Sequence, residues 1–179
     1  MNLQGIEENV IVVDSVSKRY SMCGVRIGAM ISRNKAVMST ALKLAQARLS
    51  PPSLGQIASE AALKTPNSYF EEVSKEYVER RDILVDGLNE IDGVFCPKPG
   101  GAFYAVAQLP VKDTDDFCQW MLEQFELEGE TVMIAPASGF YSTPGEGKNE
   151  VRLAYVLEKE KFKKAVQCLK LGIEAYIKQ

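Results

Sequence analysis

Residues 14–32 read DSVSKRYSMCGVRIGAMIS, and the rest of the chain is interpreted outward from them. Apolar, β-branched runs flank a polar middle. Val10 to Val13 on one side and Ile27 to Ser32 on the other are predicted as strands. From Asn34 to Ala47 the apolar residues follow helical spacing, and Pro51 and Pro52 bar that helix from continuing. Ser53 is expected to cap a further helix to about Leu63, with Gln56 as its capping-box partner. A long amphipathic helix follows on Phe70, Val73, Tyr77, Leu84 and Leu88, with Gly93 at its exit. Beyond residue 90 the pattern predicts short strands at Val94–Cys96, in AFYAVAQL, in TVMIA and in EVRLAYV. Helices are expected over Asp113–Glu128 and Lys159–Ile177. That order makes a compact α/β layer with its own core. The first fifty residues do not: two strands and a helix cannot cover both faces of a sheet, so they read as the tail of a larger one.

Composition removes whole classes of function. The net charge of −3 and the pI near 5.2 argue against nucleic acid or a membrane surface as partner. No apolar run approaches a membrane span. MNLQGIEENVIVVDS has no basic segment followed by an apolar one, so the expected compartment is the cytoplasm. The four cysteines, Cys23, Cys96, Cys118 and Cys168, form no C-x-x-C pair, and no metal site is expected. Histidine is absent, which removes Ser-His and Cys-His catalysis and leaves proton transfer to Lys, Tyr, Cys or carboxylates. PGEGKN is not a phosphate loop: Ser142 stands where the pattern needs glycine, and Asn149 follows Lys148 where it needs Ser or Thr.

Ser15, Ser17, Lys18 and Arg26 are therefore the residues to explain. Their types fit two readings. One is a solvated strand-to-strand loop with surface charges. The other is a site, in which an arginine fork and serine hydroxyls take a phosphate while Gly24 and Gly28 permit close backbone approach. Lysine in a partly desolvated place becomes a nucleophile toward carbonyls. A phosphate clamp beside such a lysine suits a phosphorylated aldehyde held as a Schiff base, and pyridoxal phosphate is the cofactor with that chemistry.

The string SVSKRYSMCGVRIGA resembles the lysine signature of the class I pyridoxal-phosphate-dependent aminotransferases, the aspartate aminotransferase group within class I/II. The resemblance implies Lys18 as the cofactor lysine and the base of the 1,3-proton shift. It implies Arg26, with Ser15 and Ser17, as cofactor contacts. KPGGAFYAV resembles the family strand whose phenylalanine, here Phe103, borders the substrate. EVRLAYV resembles the strand carrying the arginine for the substrate α-carboxylate, here Arg152, and IAPASGFY resembles the loop leading to it. Arg48, near the Pro51-Pro52 pair, stands close to where dicarboxylate-specific members carry a side-chain arginine; a helix-end surface arginine is the other reading.

The resemblance implies an α/β fold, the C-terminal part of fold type I. Residues 1–50 would be a remnant of the large cofactor-binding domain, 51–90 connecting helices and 91–179 the small C-terminal domain. It implies transfer of an amino group between an amino acid, aspartate or similar, and a 2-oxo acid. The family's other cofactor contacts precede the lysine and have no counterpart in residues 1–17, so little activity is expected from this chain alone. A lyase or decarboxylase on the same fold, or a non-catalytic truncated product, are the alternatives. Uncovered sheet edges lead to the expectation of a homo-oligomer.

Overall fold

The computed structural model describes residues 3–178, which divide into two units between Asn67 and Ser68.

In the first unit, β1 (Ile11–Ser15) pairs antiparallel with β2 (Gly28–Ser32), in a register running from Ile11 opposite Ser32 to Ser15 opposite Gly28. The connection contains the single-turn helix α1 (Val16–Arg19) and a 3-10 turn at Cys23–Val25 that packs on it. The Ser32 hydroxyl donates to the Val10 carbonyl and accepts from the Asn34 N–H. Asn34 in turn caps α2 (Lys35–Ala47) by accepting from the Val37 N–H. The helix α3 (Ser53–Ala62) starts differently from the expected capping box. Pro52 occupies the cap position, its carbonyl takes the Gln56 N–H, and Ser53 is already helical. The Gln56 side chain donates instead to the Pro51 carbonyl and the Ser50 hydroxyl. Gly55 is buried against the β1–β2 connection: a Cβ there would stand 2.9 Å from the Val25 carbonyl oxygen.

The second unit carries the core. Its sheet has the order β3-β5-β4, all antiparallel, from β3 (Tyr104–Gln108), β4 (Ala135–Pro136) and β5 (Glu150–Ala154). Helices α4 (Asn67–Asn89), α5 (Thr114–Glu123) and α6 (Lys159–Ile177) supply its apolar partners. Leu84 and Leu88, Phe117 and Met121, and Phe162, Leu169 and Ile173 are all buried with Val151 and Leu153. The α6 bounds are those its periodicity predicts. Residues 94–96 give only one bridge, Phe95 opposite Gln108, rather than a strand. The α5 helix stops at Glu123, where Gln124 leaves helical geometry at φ −130°, and beyond it Glu128 and Gly129 (φ 56° and 79°) make a left-handed turn that closes Leu127 onto Glu130. TVMIA joins the sheet only at its last residue. The Thr131 hydroxyl donates to the Met121 carbonyl, tying the start of the segment to α5.

Candidate active site

The first group of site residues sits on the β1–β2 connection. The Ser15 hydroxyl oxygen accepts from the Ser17 N–H at 3.0 Å and so starts α1, which carries Lys18 in its single turn. The next residue, Arg19, pairs with Asp14 at 2.7 Å and anchors that turn to β1. The Val16 N–H reaches the Ile27 carbonyl, closing the base of the loop. Arg26 is left-handed at φ 60°, as is Ser21 at φ 54°. Two non-glycine residues held in that region form a pattern common at ligand sites. Arg26 donates one N–H to the Cys23 carbonyl at 3.0 Å, which bends its side chain back over the loop. Gly28 meets the Asp14 carbonyl, where a Cβ would lie at 3.2 Å, whereas Gly24 faces open space. Ser15, Ser17, Lys18 and Arg26 thus share one short connection. Lys18 and Arg26 are exposed, and Ser15 and Ser17 half-buried.

The second group belongs to the second unit. Arg152 lies on β5, half-buried, opposite Val106 of β3 and Ala135 of β4. Its guanidinium carbon stands 4.6 Å from the Tyr104 ring centre and 4.4 Å from that of Phe140. Among the described residues no hydrogen bond or ion pair reaches this side chain. Phe103 precedes β3, its carbonyl accepts from the Tyr155 N–H, and its ring lies 4.5 Å from that of Tyr104. Phe103 and Arg152 therefore share Tyr104 as a neighbour. The buried Tyr155 donates to the carbonyls of Gly101 and Ala102, fixing the turn before Phe103, and burial pushes its phenol up. A cleft of about 410 Å³ opens beside Arg152, bounded by Tyr104, Ile134, Ala135, Phe162 and Leu169. Arg48 belongs to the first unit and is exposed just past the end of α2. No cluster of three potential metal ligands occurs among the described residues.

The ring contacts to Arg152 go beyond the sequence reading. Tyr104 has a signal there, since alternation puts it on the same sheet face as Arg152. Phe140 lies in IAPASGFY, the loop read as leading to the Arg152 strand, but its ring contact is encoded by no periodicity, because it comes from the 3-10 turn Ser138–Phe140.

Residues 2–169 match the family described as aminotransferase class I and II. The chain belongs to the class I and II aminotransferases. An aspartate aminotransferase from Rhizobium meliloti (strain 1021) is 31% identical over 91% of this chain and 40% of its own length. An LL-diaminopimelate aminotransferase from Moorella thermoacetica is 34% identical over 93% of this chain and 40% of its own. The crystal structure of the Rhizobium meliloti aspartate aminotransferase matches with a TM-score of 0.80 and 30% identity, over 96% of this chain and 44% of that one. This aminotransferase chain thus spans about 40% of the length of the curated relatives it matches, and its α/β fold is part of the fold type I architecture.

Proposed function

We propose that this chain is the part of a transaminating enzyme that carries its lysine and its substrate carboxylate site. The reading rests on one observation: Ser15, Lys18 and Arg26 occupy a single short connection between paired strands, in a chain of this family. That donor set fits pyridoxal phosphate. Arg26 and the Ser15 hydroxyl suit the phosphate, Ser17 adds a further hydroxyl, and the Lys18 amine suits the aldehyde. When bound, the cofactor supplies an electron sink for the bonds at the amino-acid α-carbon. Lys18 Nζ takes the proton from that carbon and returns it on the other side of the exchange. Arg152 takes the substrate α-carboxylate edge-on, because its N–H groups have no acceptor among the described residues. Phe103 bounds the substrate, and Arg48 reaches a second acidic group where the donor is aspartate or similar.

The relatives reported above are all aminotransferases, which favours transamination over a lyase or decarboxylase reaction. The amino-group acceptor is a 2-oxo acid, the assembly is a homo-oligomer and the compartment is the cytoplasm. The free state of Cys23, Cys96, Cys118 and Cys168 suits that compartment. No helix among the described residues is long and apolar enough to cross a membrane.

The test is glutamate formation from aspartate and 2-oxoglutarate. It compares the chain alone with the chain joined to the portion of the Rhizobium meliloti enzyme that it does not span. The joined protein should turn over and the chain alone should not. Lys18→Ala in the joined protein should remove at least about 10³-fold of the rate. Turnover that survives Lys18→Ala refutes the reading.

A further inference from the structure

Arg152 is a half-buried cation with nothing to donate to among the described residues. Burying a charge with unspent donors is costly, and aromatic faces offset only part of that. The backbone that carries the two rings beside it is held independently of the arginine. Tyr104 pairs with Ala154 and Val106 with Arg152, so Tyr104 is the diagonal cross-strand neighbour of Arg152 on one face of the sheet. Phe140 closes its turn by an N–H to the Ala137 carbonyl at 2.9 Å. The next residue, Tyr141, donates its hydroxyl to the carboxylate of Glu150, two positions before Arg152 on β5. Gly147, at φ 69°, leaves room for the Tyr141 ring, since a Cβ there would fall 2.4 Å from its Cδ2.

We infer that Tyr104 and Phe140 are positioning residues, which set the plane of the Arg152 guanidinium so that its N–H edge is presented ready-made to a planar carboxylate. The inference rests on the carboxylate role given to Arg152 above and adds what tunes it. A guanidinium flanked by fixed rings loses little rotational freedom on binding, so the rings act on affinity without touching the ligand. A planar carboxylate meets the fork with two parallel bonds, so a guanidinium whose plane is already set binds it at less cost.

The experiment uses the ¹⁵N-labelled 179-residue chain and follows the arginine Nε–H resonances, with Arg152 identified by its loss in Arg152→Lys. Sodium acetate is the probe, with chloride at matched ionic strength as the comparison that cannot form two parallel bonds. In the wild type the Arg152 signal should lie upfield of the other arginines, shifted by the two rings, and should move on acetate addition. Tyr104→Phe should preserve both properties. Tyr104→Leu and Phe140→Leu should each return the signal toward the ordinary position and weaken acetate binding about threefold to tenfold, leaving the chloride response unchanged. Phe140 is exposed, so its variant tests the inference even where Tyr104→Leu disturbs the sheet. A wild-type signal at the ordinary arginine position, or leucine variants that bind acetate as the wild type does, overturns the inference alone. A wild-type signal that never moves with acetate overturns the carboxylate role of Arg152 and the inference with it.

Discussion

Cys96 and Cys118 are buried, and burial pushes each thiol up to about 11, with Asp115 adding to the effect at Cys118. In the unfolded chain these groups lose their protons first, from about pH 9. The folded state holds more protons between about pH 9 and about pH 11, so the stability they contribute is whole below that window and falls as pH rises through it. The loss is at most ~3 kcal/mol per thiol. Urea midpoints at pH 8 and pH 10.5 should therefore converge in the Cys96→Ala, Cys118→Ala double variant relative to the wild type. An unchanged pH slope contradicts the assignment. Gly147 makes the second prediction at this scale. A Cβ there meets the Tyr141 ring in a left-handed backbone, so Gly147→Ala should cost roughly 1–3 kcal/mol. It should also broaden the Phe140 ring resonances, because the turn that carries them is held by Tyr141.

At the scale of single elements, what the sequence makes legible depends on whether the signal is local. The apolar spacing over Asn34–Ala47 announces α2 and that over Lys159–Ile177 announces α6, because periodicity lies within the element. TVMIA has the residue types of a strand, yet it is placed by distant partners, the Met121 carbonyl at Thr131 and Arg152 opposite Ala135, which no local pattern encodes. The same holds at the candidate site. Lys18 and Arg26 belong to one continuous string and could be read together, whereas Arg152 acquires Phe140 only through the turn that Tyr141 fastens to β5. Thr114 is the clearest tie between elements. It is fully buried, begins α5, and donates its hydroxyl to the Glu150 carbonyl at 2.9 Å, at the start of β5. Thr114→Val keeps the shape and removes the donor. It should cost about 1–2 kcal/mol, read as a lower urea midpoint with an unchanged denaturant slope. A midpoint equal to that of the wild type would mean that the hydroxyl adds nothing to packing and to the backbone bond from the Thr114 N–H to the Lys148 carbonyl.

Over the whole molecule the apolar side chains are divided unequally. Every large apolar side chain that is buried among the described residues, from Leu84 to Ile173, belongs to the second unit. Among its described residues the first unit buries only Gly55, while Val13 is 77% exposed, Leu49 79% and Leu54 82%. Burial of apolar area is the main favourable term in folding, and a two-stranded hairpin without an apolar face to cover is at best marginal in water. The two units of this chain should accordingly open with very different free energies. In native-state hydrogen exchange on the 179-residue chain, amides of β3, β5 and the buried turns of α5 and α6 should exchange only through global unfolding. Those of β1, β2, α2 and α3 should exchange orders of magnitude faster, with little dependence on denaturant. The lysine connection is then the least stable part of the candidate site, while the Arg152 face stays ordered. On the function proposed for the two residues, acetate binding at Arg152 should then be measurable in this chain under conditions where Lys18 chemistry is not. Equal protection of the β1–β2 ladder and of β5 would break the argument, because it would require an apolar cover over Val13, Leu49 and Leu54.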